Sequence, residues 1–84
     1  MGKYAKILAV VLSSSSDANI DFDDLCKLLE LLGFTVRIRG SHHNFFKEGV
    51  EERINLQRDG NKAKQYQVRQ VRSILIKNNM GGML

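Results

Sequence analysis

Apolar residues recur along this chain with two periods, and the places where the period changes divide it into elements. Tyr4, Ile7, Leu8, Val11 and Leu12 fall at helical spacing and predict a short amphipathic helix over about residues 3–12. Residues 13–19 are polar, a connector too short to separate domains. Asp21 then reads as an N-cap, with Asp24 three residues on and further acid in the first turn to suit the helix dipole. Ile20 and Leu25 are spaced as a hydrophobic staple. Phe22, Leu25, Cys26, Leu28, Leu29 and Leu32 form one stripe, which Gly33 ends as a left-handed cap with Phe34 folding back on the last turn.

From Phe34 the period becomes two. Phe34, Val36 and Ile38 take one face of a strand, and Thr35, Arg37 and Arg39 the other. Gly40-Ser41 is a turn, residues 42–47 a second strand, Glu48-Gly49 a two-residue hairpin loop, and residues 50–56 a third strand. In that strand Ile54 and Leu56 face inward, Arg53 and Asn55 outward. Residues 57–64 read as a polar loop. Helical spacing returns over residues 65–77, burying Val68, Val71, Ile74 and Leu75, and residues 79–84 read as a flexible tail that frays from Met80 onward. The expectation is one α+β domain over residues 1–84. Its core, residues 21–78, runs helix, three antiparallel strands, helix, and residues 1–20 add an N-terminal helix and connector. Both long helices cover one sheet face and leave the other open.

Charge tells the two ends apart. Residues 1–33 hold three Lys against five acids, whereas residues 34–84 hold ten Lys or Arg against four acids. A surface suited to a polyanion therefore belongs to the later residues. Cys26 is the single cysteine, so no internal disulfide forms, and its place in a leucine-rich stripe makes it core filler. The longest apolar run, residues 7–12, is far short of the roughly 20 residues a membrane helix needs. That run is also short for a secretory signal, and Lys6 stands where myristoylation wants Ser or Thr. A cytoplasmic protein is expected.

Strand alternation sorts the only two histidines, His42 and His43. With Phe45 under the helices, His43 points inward while His42 and Asn44 point outward. The opposite register would put Asn44 and His42 in the core beside Phe46. The open face then carries Arg37, Arg39, His42, Asn44, Arg53 and Asn55, with Phe46 as an exposed aromatic. Adjacent strand histidines diverge and no acid or thiol cluster joins them, so neither a metal site nor a cofactor is expected. No phosphate-binding glycine loop and no nucleophile elbow occurs. On the residues alone, His42 is either an ordinary surface histidine or the proton-transfer group of a polyanion-cleaving site. His43 is a half-buried core residue with one hydrogen bond, or a helper to it.

The runs Leu28-Leu29-Glu30-Leu31-Leu32-Gly33-Phe34 and Arg39-Gly40-Ser41-His42-His43-Asn44-Phe45, with Val68-Arg69-Gln70-Val71-Arg72-Ser73-Ile74-Leu75 near the end, resemble the HicA toxin family of bacterial toxin–antitoxin systems. The resemblance covers residues 21–78 in matching order. It implies a double-stranded-RNA-binding-like fold and a metal-independent mRNA interferase, held inactive by a HicB-type antitoxin, whose catalytic histidine maps to His42. On that mechanism His42 takes the proton of an RNA 2′-hydroxyl attacking its own phosphate. Arg37 or Arg39 stabilises the developing charge, and Ser41 orients the phosphate or merely makes the turn. His43, Lys47 or water serves as the leaving-group acid. Arg37, Arg39, Lys47, Arg53, Lys62, Lys64, Arg69 and Arg72 are the expected RNA-binding cations. Two departures stand out: many members carry Pro-x-His after the third strand where this chain has Gln57-Arg58-Asp59-Gly60, and residues before Asp21 lie outside the usual core. The rival readings are a non-catalytic RNA-binding module of the same fold and a protein-interaction domain using the acidic helix.

Overall fold

The computed structural model describes residues 2–82, and its architecture is α+β. In chain order come α1 (Lys3–Ser13), a 3-10 turn (Asp17–Asn19), α2 (Phe22–Leu31), β1 (Thr35–Arg39), β2 (His42–Lys47) and β3 (Val50–Leu56). Two very short strands, β4 (Arg58–Asp59) and β5 (Lys62–Ala63), precede α3 (Gln65–Lys77).

α2 begins and ends where its sequence says. The Asp21 carboxylate accepts the Asp24 amide at 2.9 Å, supplying an acceptor for one of the free N–H groups of the first turn. At the other end Gly33 adopts φ 99°, its amide donates to Glu30 O and the Phe34 amide to Leu29 O, a Schellman closure that returns Phe34 to the core. α3 closes in the same way on an asparagine. Asn79 sits at φ 55°, its amide donating to Ile76 O and the Met80 amide to Leu75 O. This corrects the expected fraying: Met80 is buried at 3% because the left-handed Asn79 turns it back onto the last turn of α3. Residues 83–84 of that expected tail lie outside the described residues.

The sheet is antiparallel in the order β1-β2-β3. Arg39 pairs with His42 and Lys47 with Val50, so both links are two-residue turns, with Gly40 at φ 58° and Gly49 at φ 86°. Between Lys47 and Phe45 the chain takes two steps in β2, while the partners Val50 and Ile54 are four steps apart in β3. This bulge adds an even number of residues, so facing alternation survives it. Phe45, Ile54 and Leu56 are buried against Phe22, Leu25, Leu28, Leu29, Val68, Val71 and Leu75. Ile38 lies on the same side of the sheet but is 60% exposed, because the helices pack over the β3 edge of the sheet rather than over the β1 edge.

The stretch 57–64 is no simple loop. Arg58 pairs with Ala63 and Asp59 with Lys62 around a Gly60-Asn61 turn, and Ala63 is buried. The hairpin is stitched to the start of α2, where Ala63 donates its amide to Ile20 O and Phe22 its amide to Asn61 O. The helix over residues 3–13 packs on α2 and α3, with Leu8 and Val11 in the core.

Candidate nucleic-acid interface

Thr35, Arg37 and Arg39 of β1, His42, Asn44 and Phe46 of β2, and Arg53 and Asn55 of β3 share the sheet face that no helix covers. Arg37 pairs across the strands with Asn44, and Asn44 with Asn55. Arg37 and Arg53 each place a guanidinium 5.5–5.6 Å from the centre of the Phe46 ring, so two cations share one aromatic platform. Arg39 is exposed directly across from His42, at the end where the Gly40-Ser41 turn joins the strands.

His42 is exposed and held on both ring nitrogens. Its Nδ1 lies 3.2 Å from Asn55 Oδ1, and its Nε2 lies 3.2 Å from the side-chain nitrogen of Gln57. The same Gln57 nitrogen donates to Ser41 Oγ at 3.4 Å, and Gln57 Oε1 accepts from the Lys64 ammonium at 3.3 Å. Behind them the Gln57 backbone N–H donates to Oε1 of Gln67, a glutamine of α3 that is 2% exposed. Ser41, Gln57 and Lys64, with Gly40, His43 and Arg58, line a small cleft beside the turn.

His43 points the other way. Its ring meets Phe22 edge-on at 4.9 Å, and its Nδ1 is buried with no hydrogen-bond partner among the described residues, in place of the one hydrogen bond expected of it. Lys47 stands at the opposite end of β2, roughly 16 Å from His42 at the rise of a strand, with its ammonium against Gly33. It therefore does not belong to the His42 cluster. Lys62 is half-buried in the β4–β5 hairpin, where its backbone also pairs with that of Asp21. Arg69 is exposed on α3, in the helical layer.

Arg72 requires a firmer correction. Its guanidinium takes both carboxylate oxygens of Asp17, at 2.8 and 3.1 Å, and donates to Val11 O at 3.1 Å, with only 15% of the side chain exposed. It is a clamp between α3, α1 and the connector, not a phosphate ligand. Those hydrogen bonds hold the Asp17 carboxyl below its ordinary range. Burial pushes the half-buried Cys26 thiol up to about 12, which leaves it protonated and inert at neutral pH.

A family model described as the HicA toxin of bacterial toxin–antitoxin systems matches residues 22–78. The chain belongs to the HicA toxin family. No curated protein and no solved structure matches the chain. The matched segment of this HicA member runs from the first turn of α2 to the end of α3 and contains the open sheet face, His42 and its neighbours. α1, together with its contact to Arg72, falls outside it.

Sequence reasoning placed Asn55 on the right face but did not single out Asn55 or Gln57 as partners of His42. Continued from the Glu48-Gly49 turn, the β2–β3 register would set Asn55 opposite His42. The bulge shifts the pairing so that Asn55 lies diagonally, opposite Asn44, and the β3 line beyond Leu56 carries Gln57 up to the imidazole. A signal for the β4–β5 hairpin was present in Asp59-Gly60-Asn61, since Gly-Asn favours a two-residue turn. Among the described residues no three His, Cys, Asp or Glu side chains converge as a metal site would require, and no helix is long and apolar enough to cross a membrane.

Proposed function

We propose that this HicA toxin is a metal-independent endoribonuclease that cuts mRNA, with His42 as the general base and a HicB-type antitoxin as the partner that silences it by covering the basic face. The observation that carries this reading is the position of His42. It is exposed on the open sheet face, directly across from Arg39, with both ring nitrogens held by neutral amides. A ring so placed can meet a phosphodiester that the surrounding cations attract.

The proton of the 2′-hydroxyl passes to the imidazole as O2′ bonds to phosphorus, and the P–O5′ bond breaks. The products are a 2′,3′-cyclic phosphate and a 5′-hydroxyl. The departing oxygen takes its proton from solvent, since His43 faces the core and Lys47 lies at the far end of β2. Arg39 and Lys64 flank the His42 end and offset charge gathering on the phosphate. Arg37 and Arg53, with Phe46 between them, hold the neighbouring nucleotides by phosphate contact and stacking. Ser41 makes the turn and accepts from Gln57.

The test is to incubate the chain with single-stranded RNA in excess EDTA and analyse the new ends. A 2′,3′-cyclic phosphate at every cut, with no cut where the 2′-hydroxyl is replaced by hydrogen, is expected. Cutting at a 2′-deoxy position contradicts the mechanism. Binding without cutting gives the chain to the rival reading, an RNA-binding module of the same fold.

A further inference from the structure

Four side chains around His42 form a hydrogen-bond chain whose polarity is set at one end. The Lys64 ammonium has donors and no acceptor. The atom that faces it at 3.3 Å must therefore be the oxygen of the Gln57 amide, which turns the amide nitrogen toward the cleft. One N–H of that nitrogen meets His42 Nε2 at 3.2 Å and the other meets Ser41 Oγ at 3.4 Å. A ring nitrogen that faces an N–H donor must offer a lone pair. A neutral imidazole carries only one proton, so that proton sits on Nδ1 and points at Asn55 Oδ1, 3.2 Å away. The reverse arrangement fails at its first link, because a flipped Gln57 amide would set its NH₂ against the ammonium.

We propose that Lys64, Gln57 and Asn55 act together as positioning residues that hold His42 as the Nδ1–H tautomer, with the Nε2 lone pair presented on the open face. α3 anchors the device twice. Lys64 is its N-cap residue, and buried Gln67 accepts the Gln57 backbone N–H at 3.0 Å. The Gln57 amide is only half-buried and can swing aside. An incoming 2′-hydroxyl takes its place as donor to Nε2. The use of Nε2 as a base rests on the ribonuclease reading above; the tautomer does not.

The experiment is two-bond ¹H–¹⁵N NMR on the uniformly labelled full chain, at a pH where the imidazoles are neutral, with His42→Gln to assign the His42 signals. The native ring is expected to show a protonated Nδ1 and a bare Nε2. Gln57→Met and Lys64→Met should each move it toward the Nε2–H form. In Gln57→Glu the carboxylate can only accept, so the proton should move to Nε2 while Lys64 keeps its partner. In the same proteins, Gln57→Met is expected to lower kcat by about tenfold or more, the cost of a mis-set imidazole, with KM little changed. An Nε2–H tautomer in the native chain, or a native pattern that survives both methionine substitutions, overturns the proposal. If the native chain fails to cut RNA but shows the expected tautomer, the ribonuclease reading fails and the positioning device stands.

Discussion

At the scale of single residues, adjacent positions on a strand have opposite fates. His42 and His43 differ by one pleat: the first is exposed between Asn55 and Gln57, the second sits edge-on to Phe22. Histidine type says nothing about this difference, whereas alternation does, once Phe45 is taken as the buried aromatic. The cations sort by location in the same way. Lys47→Ala removes a charge at the distant end of β2 and is expected to leave kcat unchanged. Arg39→Gln, directly across from His42, should lower kcat/KM by about tenfold, the loss of one charge-assisted contact to phosphate. Steady-state cleavage of a short RNA by the two variants checks both. Equal losses in the two would mean that the chemistry is not centred on the Arg39–His42 end of the sheet.

At the scale of elements, the features most legible in the sequence were those governed by local rules. The Asp21 cap, the Gly33 closure and the buried stripe of α2 follow from residue type and spacing, and so do the turns at Gly40 and Gly49. What escaped was set by tertiary pairing. The β3 bulge leaves no mark in a strand whose alternation it preserves. The β4–β5 hairpin is only two residues per strand and depends on Ile20 and Phe22 for its outer hydrogen bonds. Arg72 was assigned to RNA because its partner, Asp17, lies 55 residues away in sequence. The clamp makes a separate prediction. Arg72→Met should destabilise the chain by about 1.5 kcal/mol, the low end for losing hydrogen bonds to a charged group, since the pair is only partly buried. Joint replacement of Arg72 and Asp17 by apolar residues should recover most of the loss. Because the folded Asp17 carboxyl is held below its ordinary value of 3.8, the clamp contributes fully above that pH and is lost as pH falls through the lowered value. Denaturant melts of native and Arg72→Met chains should accordingly converge in strong acid. Constant separation down to that range would show that the pair is not the source of the stability.

For the whole molecule, the division of charge seen along the chain becomes a division between layers. Of the five acids of the first third, Asp24, Asp23 and Asp17 are paired with Lys3, Arg58 and Arg72, and Asp21 caps α2. Arg37, Arg39 and Arg53 stand on the open sheet beside the site. The RNA-facing charge should therefore be separable from the structural charge by salt titration. Single-stranded RNA affinity should fall linearly with log salt, and Arg37→Gln or Arg53→Gln should each reduce the slope by about 0.7. Lys77→Gln, whose ammonium is spent on Glu52 on the helical side, should leave the slope alone. A slope insensitive to Arg37 and Arg53 would place the RNA on another surface.

The central claim is that His42 performs proton transfer on RNA at the open face, and cleavage by His42→Ala in excess EDTA tests it most directly. Removal of the imidazole is expected to slow cleavage by at least about a hundredfold, the low end for a lost general base, while RNA affinity stays within about twofold because cations supply the binding. Equal cleavage rates for the native and His42→Ala proteins, with both well folded, would contradict it.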